Sequence, residues 1–242
     1  MLGVFSREVA EPPEELGAAG AAGSRTPSPK TRASELVNRF VTRSAPAEVV
    51  SIQLGSVGHL VHSHAGDSPF RPRLFAAKDD IFCLFQGMLD NLGNLIQHYG
   101  LSKNSNEVLL VIEAYKVLRD RAPHPPSFML GHLTGNFSFV LFDRKTSTIL
   151  VASDADGRVP LYWGITADGC LAFADDVEIL KGSCGKSLAP FPPGCFYSNS
   201  LGGLKSYEHP KNKVTATLAD EEEICGATFN VEEAPTVVTA MH

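Results

Sequence analysis

The sequence lacks the features that mark a membrane-spanning, nucleic-acid-binding or secreted protein. Apolar stretches such as residues 108–112 are far shorter than the roughly 20 residues that a helix needs to cross a bilayer. Lys and Arg total 21 against 27 Asp and Glu, with no basic run, so we expect no nucleic-acid binding. The N-terminus carries no charged-then-apolar secretory signal. We therefore expect a cytoplasmic protein with no transmembrane segment, and the nucleus and the plasma-membrane periphery stay open as further locations.

Cysteine is scarce, and no C-x-x-C pair is present. The five cysteines are widely spaced: Cys83, Cys170, Cys184, Cys195 and Cys225. An odd number without close pairs argues against a zinc site or a redox dithiol, so we expect free, mostly buried thiols. His59, His62 and His64 are close in sequence, but on a strand only His62 and His64 share a face. We therefore predict neither a metal site nor a cofactor.

What the sequence does contain is the composition of a folded domain. Hydrophobic residues make up 43% and charged residues 20% of 242 residues, which suits one large domain. We assign it to residues 1–210, followed by an acidic extension over 211–242. The Ala-, Gly- and Pro-rich stretch 14–32 is predicted to be a flexible insertion. Within it Thr26 and Ser28 precede prolines and are candidate phosphorylation sites, the alternative being ordinary loop residues.

The apolar patterning predicts alternating sets of strands and helices. Strands are predicted at residues 2–5, 49–54, 59–62, 81–85, 136–142, 148–152, 160–164 and 170–174. Gln86-Gly87 is predicted to break the fourth of these. Helices are predicted at 34–42 with Ser34 as N-cap, from near Asn91, and from the Asn104/Glu107 capping-box pattern to about residue 121. The result is an α+β layered fold.

Several segments, in chain order, resemble the glutamine-hydrolysing domain of class II amidotransferases, most closely that of asparagine synthetase. The opening Met-Leu-Gly-Val-Phe is similar to that family's Met-Cys-Gly-Ile-Phe. Five further stretches are similar to its segments: residues 85–91, 104–108, 135–143, 154–162 and 191–207. The resemblance implies a four-layer αββα sandwich of the N-terminal-nucleophile hydrolase type.

Two short motifs resemble the signatures of a plant family of aluminium-induced or stem-specific proteins. They are Tyr99-Gly100-Leu101 and Leu118-Arg119-Asp120-Arg121. This resemblance implies a homodimer and a role in stress or hormone response. Read from the residues alone, the alternative is structural: Gly100 ends a helix with positive φ, and the Arg119–Arg121 charges lie near the end of the next helix.

The residues expected to do amidase chemistry are missing. Such an enzyme needs a nucleophile and an α-amino group on its first residue, whereas position 2 is Leu and disfavours removal of Met1. Gln86 stands before Gly87 where the oxyanion-hole Asn is expected, and Ser105 stands where a carboxylate should hold the substrate ammonium group. No Arg occurs at 55–58, where a partner for the substrate carboxylate is expected.

We therefore predict no catalytic residue, a degenerate pocket formed by Leu2, Gln86, Gly87 and Ser105, and a non-catalytic scaffold or sensor with protein partners. Two alternatives stay open. One is a hydrolase that uses another group such as Cys83 or His62, although burial in a central strand raises the pKa of a thiol. The other is regulation of a true amidotransferase in trans.

Overall fold

Two six-stranded antiparallel sheets pack face to face, and helices cover the outer face of each. The computed structural model describes residues 1–21, 29–43, 48–64, 71–121, 125–219 and 224–232. These layers confirm the predicted four-layer αββα sandwich.

The first of the two sheets, here called the N-terminal sheet, contains the first strand of the chain at its centre. Its strands are β1 (Leu2–Phe5), β2 (Val49–Gln53), β3 (Gly58–Ser63), β8 (Tyr162–Ile165), β9 (Leu171–Ala174) and β10 (Ala189–Pro190). Their order is β10-β8-β9-β1-β3-β2. The strands predicted at 49–54 and 59–62 are present as β2 and β3, which pair antiparallel as a hairpin.

The second sheet is built around two long neighbouring strands. Its strands are β4 (Arg73–Lys78), β5 (Ile81–Leu89), β6 (Gly135–Asp143), β7 (Thr148–Ser153), β11 (Cys195–Ser198) and β12 (Gly203–Ser206). Their order is β12-β11-β7-β6-β5-β4. The α-helices among the described residues are α1 (Glu14–Ala21), α2 (Ala33–Arg43), α3 (Leu92–His98), α4 (Glu107–Asp120), α5 (Pro126–Gly131) and α6 (Val177–Leu180). No helix in the described part of the chain is both long and apolar enough to cross a membrane.

Strand periodicity divides the core into three layers. Successive strand residues face opposite sides, so Leu84 lies between the sheets whereas Cys83 and Phe85 face α4. The apolar residues of α4 pack there. Leu36 and Phe40 of α2 cover the outer face of the N-terminal sheet. Aromatic side chains, all buried, fill the layer between the sheets: Phe5, Phe142, Trp163, Phe173, Phe191, Tyr197 and Phe229.

Three predicted boundaries are wrong by a few residues. Strand β5 does not break at Gln86-Gly87 but runs on to Leu89, because Gly87 adopts a φ of 112° and stays in register with β6. The N-cap of α4 is Asn106 rather than Asn104, and its side chain accepts the N–H of Leu109 at 3.2 Å. Helix α2 begins at Ala33, so Ser34 lies inside its first turn.

The structure describes part of the stretch 14–32, which is predicted to be a flexible insertion. Residues 14–21 form α1, whose Leu16 is fully buried in the layer between the sheets. The amide of Thr31 donates to the carbonyl of Ser183 at 3.2 Å. Thr26 and Ser28 lie outside the described residues.

The structure describes part of the predicted extension beyond residue 210. Strands β13 (Lys213–Leu218) and β14 (Ala227–Glu232) form a hairpin on the domain. Phe229 is buried with its ring centroid 5.2 Å from that of Trp163. Ala227 and Phe229 are two positions apart on β14, so both face the buried side. This alternation predicts a strand, but the acidic run between β13 and β14 makes the region look like a polar tail. That run, residues 220–223, lies outside the described part of the chain.

Candidate functional site

The start of β1 is held by a buried group of three charges. The α-ammonium group of Met1, 1% exposed, donates to Asp175 Oδ1 at 2.6 Å. The side chain of Asp175 is fully buried, and its Oδ2 accepts from Arg73 Nε at 2.5 Å. Asp175 follows β9 in the N-terminal sheet and Arg73 begins β4 in the second sheet, so this charged triad joins the two sheets.

Strand register extends the triad into a polar layer. Arg73 pairs with Gln86 across β4 and β5, Gln86 with Ser138, and Ser138 with Ser153. Gln86 lies two residues beyond Leu84, and Leu84 faces the layer between the sheets. Strand periodicity therefore turns the whole row toward β1.

The N-terminal sheet contributes His62 to the same layer. This histidine lies two residues beyond Leu60 on β3, and its ring centroid is 6.3 Å from that of Phe75. We use the name polar layer for the following set: Met1, His62, Arg73, Gln86, Ser138, Ser153 and Asp175.

The electrostatics of the triad are governed by burial. Removal from water lowers the pKa of the Met1 ammonium group from its usual value, and the neighbouring Asp175 carboxylate opposes that shift. The fully buried Asp175 carboxylate is bonded to both cations. Because the loss of one partner of a buried pair leaves an uncompensated charge, Asp175 is the group on which the other two depend.

A cleft of about 180 Å³ opens beside the triad. Charged groups of both signs line it: Met1, Arg43, Arg73, Asp175 and Asp176, together with Phe40. Arg43 ends α2, and Asp176 is the N-cap of α6, accepting the N–H of Glu178 at 2.9 Å. The cleft is therefore a polar opening at the end of the inter-sheet layer.

Of the four predicted pocket residues, the structure brings only two to this site. Leu2 is fully buried on the other face of the N-terminal sheet, packed with Leu36 beneath α2. Ser105 lies in the turn before α4, where its amide donates to the carbonyl of Ser102 at 2.9 Å, and it does not line the cleft. Gln86 and Gly87 lie at the polar layer.

Neither Gln86 nor Gly87 has the arrangement of an oxyanion hole. The amide N–H of Gly87 donates to the carbonyl of Pro72 at 3.0 Å and so is already used. Gln86 is 6% exposed, and its Oε1 has no hydrogen-bond partner among the described residues. An oxyanion hole requires N–H donors aimed at an open position, which this pair does not supply.

The sequence analysis missed Arg73 and Asp175. A basic partner was expected at residues 55–58, whereas the guanidinium group in the site comes from Arg73, the first residue of β4. Asp175 directly follows the apolar run of β9, which is a signal for the end of a buried strand. Their contact depends on the packing of two sheets, which residue spacing does not reveal.

Burial makes three of the five thiols poor nucleophiles. Cys83 is fully buried, and burial raises the pKa of its thiol. Burial likewise raises the pKa of Cys184 and of Cys195 to about 12. All five cysteines lie within the described residues and carry thiols and not disulfides, as predicted, and the three named here stay protonated at neutral pH. The described residues contain no group of three or more metal-ligating side chains.

The Tyr99-Gly100-Leu101 motif forms the C-terminal cap of α3. Gly100 has a φ of 65°, and its N–H donates to the carbonyl of Gln97 at 3.2 Å. The N–H of Leu101 donates to the carbonyl of Ile96 at 2.9 Å. These two bonds define a Schellman motif, which confirms the structural alternative for Gly100.

The Leu118-Arg119-Asp120-Arg121 motif ties the end of α4 to the second sheet. Leu118 is buried, and Arg119 Nη1 donates to Asp143 Oδ2 on β6 at 3.0 Å. Burial raises the pKa of Asp143, but hydrogen bonds from Arg119 and from the Lys145 amide outweigh it and hold that pKa below its usual value. The motif therefore joins a helix to a strand. Asp120 and Arg121 are exposed: Asp120 Oδ1 accepts from Arg119 Nε at 2.7 Å, and Arg121 is the C-cap of α4.

Comparison with known proteins gives one family and two kinds of relative. The family model described as "Aluminium induced protein" matches residues 2–231. The stem-specific protein TSJT1 of Nicotiana tabacum is 41% identical over 152 residues, which cover 63% of this chain and 99% of that protein. The glutamine-hydrolysing asparagine synthetase of Zea mays is 40% identical over 78 residues, which cover 32% of this chain and 13% of the enzyme.

A solved structure supports the fold. Glutamine phosphoribosylpyrophosphate amidotransferase of B. subtilis matches with a TM-score of 0.51 at 14% sequence identity. The match covers 84% of this chain and 48% of the enzyme. At this identity the likeness concerns the fold alone, and the chain spans only part of the length of these enzymes.

Proposed function

The chain belongs to the aluminium-induced protein family, and we propose that it keeps an amidotransferase-like fold without catalysis and acts as a scaffold or sensor. The observation that carries this proposal is the charged triad at the start of β1. There the α-ammonium group of Met1 is committed to Asp175, which is bound in turn by Arg73. The amine is thus engaged in holding two sheets together.

Amide hydrolysis by this fold needs a nucleophile, a base and an oxyanion hole. Leu2 supplies hydrocarbon at the nucleophile position, and its side chain lies in the helix layer. The thioether of Met1 has no proton to lose. The N–H of Gly87 is bonded to Pro72. The α-amino group that would serve as the base is bonded to Asp175. The nucleophile, the base and the oxyanion hole therefore all argue against amide hydrolysis.

The cleft supports the sensor version of the proposal. It carries Arg43 and Asp176 within one small space, a combination that suits a zwitterion such as a free amino acid. Calorimetry with glutamine, asparagine and related amino acids tests this directly. Binding without ammonia release supports a sensor, and an Arg43→Gln variant should then bind more weakly. No binding favours a scaffold, and release of ammonia contradicts both.

We also propose a role in plant stress or hormone response and residence mainly in the cytoplasm. Two descriptions support this proposal: the family is described as aluminium-induced, and one relative is described as stem-specific. The test is a fluorescent protein fused to the C-terminus, because a fusion at Met1 would disturb the triad. We expect its abundance to rise on aluminium exposure; unchanged abundance under metal and hormone treatment would argue against this role.

A further inference from the structure

Strand β2 leaves one side of its backbone open. It is the last strand of the N-terminal sheet and pairs with β3 on one side only. Within the part of the chain that the structure describes, no strand pairs with its other side. A sheet edge of this kind exposes a row of N–H and C=O groups that can pair with another strand.

The register identifies which backbone groups are open. At one end of the hairpin the N–H of His64 donates to the carbonyl of Glu48 at 3.1 Å, and at the other the N–H of Leu54 donates to Gly58 at 2.8 Å. Hydrogen-bonded residues alternate along an antiparallel pair, so residues 48, 50, 52 and 54 bond to β3. The N–H and C=O groups of Val49, Ser51 and Gln53 therefore point to the open side.

The side chains of β2 do not protect this edge from pairing with another strand. The strand contains no charged residue and no proline, and its register with β3 is continuous without a bulge. These are the devices by which natural proteins protect an edge. By contrast β4, the edge strand on the same side of the second sheet, begins with Arg73 and ends with Lys78.

The pattern is complementary to itself. If two copies of β2 pair antiparallel about a two-fold axis at Ser51, Ser51 faces Ser51 of the partner subunit, and Val49 faces Gln53 of the partner subunit. All these residues have open backbone groups, so three residue pairs form with two hydrogen bonds each. Val50, which is 41% exposed, then lies opposite Ile52 of the partner subunit.

We propose that β2 is a pairing surface for a second copy of this chain, which joins the two N-terminal sheets into one continuous sheet. The two-fold symmetry follows from the strand itself, because the outward-facing residues are centred on Ser51 and the apolar residues on either side match. This inference concerns an interface and does not depend on the function proposed above.

Disulfide trapping tests the register. In the proposed pairing the Cα atoms of the two copies of residue 51 lie about 5.5 Å apart, within the range of a disulfide. The two copies of residue 53 are offset by four positions, or about 13 Å, which is too far. Under mild oxidation Ser51→Cys should form a covalent dimer and Gln53→Cys should not. The native chain, which has five thiols of its own, measures the background crosslinking. Equal trapping of both variants, or of neither, overturns the proposal.

Sedimentation equilibrium tests the interface without a covalent bond. Ser51→Lys places two like charges opposite each other at the axis and should weaken the dimer about tenfold or more. Thr228→Lys is the matched control, because it adds the same charge to an exposed strand residue on the separate hairpin of β13 and β14. Far-ultraviolet circular dichroism confirms that both variants fold. A native chain that stays monomeric, or equal weakening by both variants, contradicts the proposal.

Discussion

At the residue scale, the Asp175 carboxylate is bonded to two cations, the α-ammonium group of Met1 and the guanidinium group of Arg73. Met1 and Arg73 reach it from different sheets, and neither bond is open to water to any large extent. The position of this side chain therefore determines how the two sheets meet at the polar layer.

Replacing Asp175 by Asn keeps the shape of the side chain but removes its charge. We expect a loss of about 3–5 kcal/mol in the free energy of unfolding, because the Met1 ammonium group and the Arg73 guanidinium group would both lose their bond to a buried carboxylate. Urea unfolding measures the change. Asp176→Asn is the control: Asn also caps helices, so we expect a loss of less than about 1 kcal/mol. Equal losses in both variants would contradict the assigned role of the triad.

Asp143 gives a prediction about pH. Its pKa in the folded protein lies below the usual value, so the stability that its charged form contributes is complete above about pH 4 and is lost as pH falls through the lowered pKa. Arg119→Gln removes a hydrogen bond to this carboxylate and should cost about 2 kcal/mol at pH 6. Unfolding at pH 6 and at pH 3 checks the sign: the difference from the native chain should shrink at the lower pH. A difference that grows would count against this interpretation.

At the scale of single elements, α3 has one glycine within it and another just beyond its C-terminal end. Gly100 caps the helix with a φ of 65°, whereas Gly93 lies inside it, and a Cβ added at either position meets nothing within 4 Å. Any difference between the two alanine variants thus reports backbone conformation alone.

Gly100→Ala should destabilise the protein by about 1 kcal/mol, because alanine is strained at positive φ. Gly93→Ala should be neutral or stabilise by up to about 1 kcal/mol, since alanine favours the helix. Thermal unfolding of both variants compares them. If the two substitutions have the same effect, the motif has a role other than that of a helix cap.

The elements also show which features a local residue pattern can predict. The stripe of α4 and the strands from β5 to β9 were predictable, because periodicity depends on a few neighbouring residues. The cap at Asn106 was missed because Asn104 also fits the pattern. The hairpin of β13 and β14 was missed because the acidic run between its strands dominated the composition.

At the scale of the whole molecule, the site depends on contacts between distant parts of the chain. Gln86 and Gly87 were identified from their resemblance to a known segment, and they do lie at the polar layer. Arg73 and Asp175 are 102 residues apart and meet only because the two sheets pack face to face. The sequence alone shows that the Leu2 side chain has no nucleophilic atom. That this side chain lies in the helix layer beneath α2 depends on the pairing of β1 within its sheet, which the Met-Leu-Gly-Val-Phe segment does not reveal.

The central proposal is that this chain lacks the amidase machinery that its fold carries in other proteins, and ammonia release from glutamine tests it most directly. We expect no release above background from the native chain. We also expect none from Leu2→Cys with Met1 removed, because side chain 2 enters the helix layer and the N–H of Gly87 is bonded to Pro72. Ammonia released by the native chain, and abolished when Met1 or Leu2 is altered, would contradict the account.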